Sequence, residues 1–134
     1  TKAFALEPGR IYLNKKNKYP RGAVDEQEAE KIIEQLTTAF LDIEFQGRKV
    51  IDRVYKREEI YRGKEIDKAP ELVLAEKDGF RLRAGLNKKE LFDKDIFAGT
   101  HTANDAFLLV KPSPAADFSL PNLKAEDIVG FLNP

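Results

Sequence analysis

Apolar positions along the chain fall into short alternating runs, interrupted by one long helical stripe. In GRIYLN (residues 9–14), Ile11 and Leu13 alternate with Tyr12, the period of a strand with one buried face. KKNKYPRG then supplies turn chemistry, with Pro20 and Gly22 as its punctuation. From Asp25 the period changes. Ala29, Ile32, Ile33, Leu36, Ala39, Phe40 and Ile43 recur at steps of three and four, which stacks them on one side of a helix over 25–43. Asp25 and Glu28 have the spacing of a capping box, and Gly47 marks the exit. KVIDRVY (49–55) predicts a second strand and REEIYRG (57–63) a single helical turn. ELVLA (71–75), opened by Pro70, predicts a third strand, closed by the turn dipeptide Asp78-Gly79. A short helix is expected near Lys88–Phe92. DAFLLVK (105–111) is apolar on both faces and is expected to be a central strand. A Pro/Ser loop follows, and Lys124–Leu132 predicts a last helix packed through Ile128, Phe131 and Leu132.

A strand, a helix, then further strands with short helices describe an α/β chain, with a mixed sheet flanked by helices. The sheet is expected from residues 9–14, 49–55, 71–75 and 105–110, with the 25–43 helix across one face. A length of 134 residues suits one domain or subdomain, able to bury roughly two-thirds of its unfolded surface.

Charge narrows the partners. Lys and Arg number 23, as do Asp and Glu, so the chain lacks the cationic excess on which nucleic-acid affinity rests. The local cluster Lys15, Lys16, Lys18 and Arg21 is read as a solvated turn. With no cysteine, zinc ribbons, disulfides and thiol nucleophiles are excluded, and an intracellular, cytoplasmic home is the simpler expectation. The longest apolar run, 106–110, is far short of the roughly 20 residues a membrane helix needs. The chain has no methionine, even at position 1, so a fragment of a longer polypeptide is expected. No dinucleotide fingerprint, phosphate loop or serine elbow occurs.

The only histidine, His101, stands in Gly99-Thr100-His101 ahead of the 105–111 run. A neutral imidazole is a good zinc ligand, and an acceptor nearby can fix its other N–H. Asp105 is the candidate for that orienting role, although a strand-opening turn is the plainer reading. Glu58 and Glu59 point apart on a helical turn and are read as surface. Arg10, Arg21 and Arg57 are considered as anion contacts but not assigned. Tyr12, Tyr55 and Tyr61 are read as packing residues with wet hydroxyls.

Six stretches occur in order: GRIYLN, YPRGAV, VYKREEIYRG, APELVL, KDGF and GTHTANDAFLLV. Together they resemble the C-terminal part of type I phosphodiesterase/nucleotide pyrophosphatase proteins of the alkaline phosphatase superfamily. The resemblance spans residues 9 to about 110. It implies the C-terminal portion of an α/β/α sandwich and a parent enzyme that hydrolyses phosphate esters with two divalent metals, commonly zinc. It also implies a threonine or serine nucleophile, with most metal ligands, in an N-terminal part outside this chain. His101 matches the family's Gly-x-His metal ligand. Thr100 and Thr102 match no nucleophile pattern. Many relatives begin the last helix with Asp-x-x-Pro-Thr, of which Asp127-Ile128-Val129-Gly130 keeps only the aspartate. On this reading the parent's partners are its missing N-terminal part and a phosphate-ester substrate, and the chain alone holds no metal pair and is inactive. The alternative is a self-contained, non-enzymatic α+β domain that binds a ligand or protein, with the Gly-Thr-His stretch as a structural turn.

Overall fold

Antiparallel pairing of short strands, closed by an amphipathic helix, organises the described residues. The computed structural model describes residues 1–85, 87 and 89–94. Strand β1 (Ala3–Glu7) pairs with β2 (Arg10–Leu13). Helix α1 follows (Glu26–Leu41), then a two-stranded hairpin of β3 (Glu44–Phe45) and β4 (Arg48–Lys49). Next come β5 (Ile51–Lys56), the single-turn α2 (Arg57–Ile60), a 3₁₀ turn (Ile66–Lys68) and β6 (Leu72–Glu76). The main sheet has the order β1-β2-β6-β5. The described residues thus form a small α/β domain with an antiparallel sheet and few helices.

Helix α1 starts where the pattern placed it. The Asp25 side chain accepts the Glu28 backbone N–H at 2.9 Å, satisfying one of the orphan donors of the first turn. Only that half of the expected capping box forms, because Glu28 instead pairs with Lys2 at 2.5 Å. The apolar stripe packs down on the sheet. Ile33, Leu36 and Phe40 lie against Ile11, Val50, Ile51, Leu72 and Leu74, while Ala29 and Ile32 close on Leu13 and Val24. Ile33 and Leu36 touch both groups and join them under one helix.

Register decides which side chains meet. Ile11 pairs with Leu72, and Val54 with Leu74, on the helix side. One residue along, Arg10, Val73 and Tyr55 are aligned across three strands and point to the opposite face. That face also carries the Phe4–Tyr12 ring pair, with centroids 5.7 Å apart, and Tyr19 set edge-on to Phe4.

The β2–α1 connection is built rather than slack. Lys16 N–H donates to Val24 O, and Ala23 and Val24 both donate to Asn14 O. The Asn14 side-chain amide donates to the Thr1 and Arg21 carbonyls. A Cβ on Gly22 would collide with the Lys15 carbonyl, so the loop closes only with glycine there.

Several expectations meet the structure differently. The strand over 49–55 is divided, because Val50 turns inward between β4 and β5, and its N–H bonds Ile43 O. β1, which the pattern did not reveal, forms an edge of the sheet. All its ladders are antiparallel among the described residues, and the one parallel contact is the isolated Lys15–Val24 bridge. The expected mixed sheet is therefore corrected to an antiparallel one over these residues. Lys89–Phe92 form no helix. Phe92 instead tilts onto Phe45 at 4.7 Å, and Phe45 meets Phe80 edge-on. The strand expected over 105–111 and the helix over 124–132 lie outside the described residues.

Candidate functional site

Burial of charge singles out one place. Among the described residues, Arg57 and Glu71 are the buried charged side chains. Arg57 opens α2 directly after β5, and Glu71 stands immediately before β6, so the pairing of those strands brings them together. Their backbones also meet, since Arg57 N–H donates to Glu71 O at 3.1 Å.

Three hydrogen bonds hold the side chains of the pair. Arg57 Nη2 donates to Glu71 Oε1, and Arg57 Nε donates to the Ala69 carbonyl at 3.1 Å. The second Glu71 oxygen accepts the Leu13 backbone N–H at 2.9 Å. Glu71 therefore ties β2, α2 and β6 through one carboxylate. A charged pair out of water persists only when its remaining donors and acceptors are satisfied in this way.

Two neighbours feel this field. Partial burial, aided by the Arg57 and Lys15 cations and opposed by Glu71, holds the Lys18 ammonium below its usual range. Burial, reinforced by the Glu71 charge, raises the Tyr19 phenol. Lys18 Nζ donates to Asp67 O at 2.6 Å and lies 5.8 Å and 5.7 Å from the Tyr12 and Tyr19 ring centroids.

A cleft of about 340 Å³ opens beside the pair, between the first turns of α1 and α2. Its cations are already matched: Lys15 with Glu26 at 3.3 Å, Lys56 with Glu30 at 3.2 Å, and Arg57 with Glu71. An incoming anion meets no unspent positive charge among these three. The arrangement can lock three elements together; no nucleophile paired with a base is evident in its lining. A second, more open groove of about 540 Å³ runs along α1 between Lys2 and Ala39 and is mainly apolar in character.

The residues singled out by sequence now divide. His101, Asp105, Thr100 and Thr102 lie outside the described residues. Arg57, left unassigned as an anion contact, spends its guanidinium on Glu71 and Ala69. Arg10 pairs with Glu7 at 3.3 Å. Of the basic loop, Lys15 and Lys16 each face a carboxylate and Lys18 a carbonyl, whereas Arg21 makes no ion pair among the described residues. Glu58 and Glu59 are exposed, as expected, but Glu59 also accepts the Lys56 backbone N–H and caps α2. Glu71 was missed. Local spacing held no signal for it, because its partners lie 14 and 58 residues away in the chain.

No group of three or more His, Asp or Glu side chains that could hold a metal ion occurs among the described residues. Likewise, none of their helices is long and apolar enough to cross a membrane. No protein-family profile matches the chain, and no curated protein or solved structure does.

Proposed function

We propose that the chain is the C-terminal part of a metal-dependent phosphodiesterase or nucleotide pyrophosphatase-like hydrolase, with His101 contributing one ligand to a two-metal site. The observation that carries this reading is the ordered set of six stretches ending in Gly99-Thr100-His101. On this reading the antiparallel unit belongs to the C-terminal portion of an α/β/α sandwich. Asp105 is the candidate to orient the His101 ring. Polypeptide outside the 134 residues supplies the nucleophile and the remaining ligands, and zinc is the expected metal.

The chemistry makes the proposal testable on the chain itself. A zinc site needs three or four protein ligands. His101 is the only histidine, cysteine is absent and the carboxylates fall in no recognised ligand pattern, so on this reading the chain leaves the site incomplete. Calorimetric titration of the 134-residue chain with zinc is expected to show no tight stoichiometric binding, and His101→Ala to change nothing. Tight binding that disappears in His101→Ala overturns the requirement for further polypeptide. The enzyme reading itself is tested on the gene's full open reading frame. Its product is expected to cleave bis(p-nitrophenyl) phosphate with added zinc, and to lose that activity in His101→Ala. A well-folded full-length product that is inactive with zinc, manganese or magnesium overturns the reading.

A further inference from the structure

We draw no further inference here: the strongest candidate, the sheet face that carries Phe4, Tyr12 and Tyr55 with Lys18 and Arg53 beside the rings, carries nothing because nothing in the structure shows what covers it.

Discussion

A single carboxylate, Glu71, serves a backbone donor and a buried guanidinium at once. Removing it leaves the Leu13 N–H and Arg57 Nη2 without their acceptor. Loss of one partner from a buried pair costs about 3–5 kcal/mol. Glu71→Gln is expected to approach that loss, since glutamine offers one acceptor oxygen and turns an amide donor toward a second donor. Pairing Glu71→Gln with Arg57→Met removes the competing donor, so the combined loss should be smaller than the sum. Urea unfolding of the four proteins gives the coupling, and strict additivity would contradict a shared role. Asp25 poses a different test. Its bond from the Glu28 N–H, with Lys16 beside it, lowers its pKa from the ordinary 3.8. A lowered folded-state value means the carboxylate's stabilisation is complete above that ordinary value and is lost as pH falls through the depressed one. The urea midpoint of the parent chain should therefore drop below about pH 4. Asp25→Asn keeps a capping acceptor but cannot titrate, so its drop should be shallower. Parallel profiles for the two proteins would show that the Asp25 charge has no part in it.

At the scale of elements, legibility followed burial on one face. Helix α1 could be read because a 16-residue stripe has room to repeat its period and Asp25 marks its start. β2 and β6 could be read because Ile11, Leu13, Leu72 and Leu74 alternate against that helix. β1 could not: Ala3 and Ala5 face the helix side with little apolar contrast, and Leu6 sits at the register shift and is exposed. The candidate site divides in the same way. Charge pairing around Arg57 and Glu71 depends on contacts 14 residues apart in the chain, and the Glu71–Leu13 bond on contacts 58 apart. Local spacing does not encode such meetings. The turn at Pro20–Gly22 was legible as a turn, but its demand for glycine was not, because that demand comes from the Lys15 backbone folding back against it. Gly22→Ala must push two backbone segments apart. Overpacking of this kind costs about 1–3 kcal/mol. The effect should appear as a lower urea midpoint, with amide exchange quickened at Ala23 and Val24, whose N–H groups bond Asn14 O. An alanine variant with unchanged stability and exchange would show that the loop can yield.

For the described unit as a whole, stability turns on one apolar layer between α1 and the sheet. Ile33 and Leu36 pack on both halves of that layer, so a defect in either half is felt through the same helix. Leu72 lies in it with no exposed surface and pairs with Ile11 on one side and Lys56 on the other. Truncating a buried leucine to alanine removes transfer free energy and leaves a cavity, together about 2–5 kcal/mol. Small domains have only about 5–15 kcal/mol of stability in total. Leu72→Ala should therefore lower the urea midpoint severely while leaving the dependence on denaturant nearly unchanged, since the surface exposed on unfolding hardly alters. Leu91 supplies the control. It has the same side chain but is 79% exposed, and its alanine variant should stay within about 0.5 kcal/mol of the parent. Equal losses at the two leucines would mean that burial against α1 does not govern the fold. A large loss at Leu72 alone would place the stabilising contacts in the helix–sheet layer, with the Arg57–Glu71 tie setting how its strands meet.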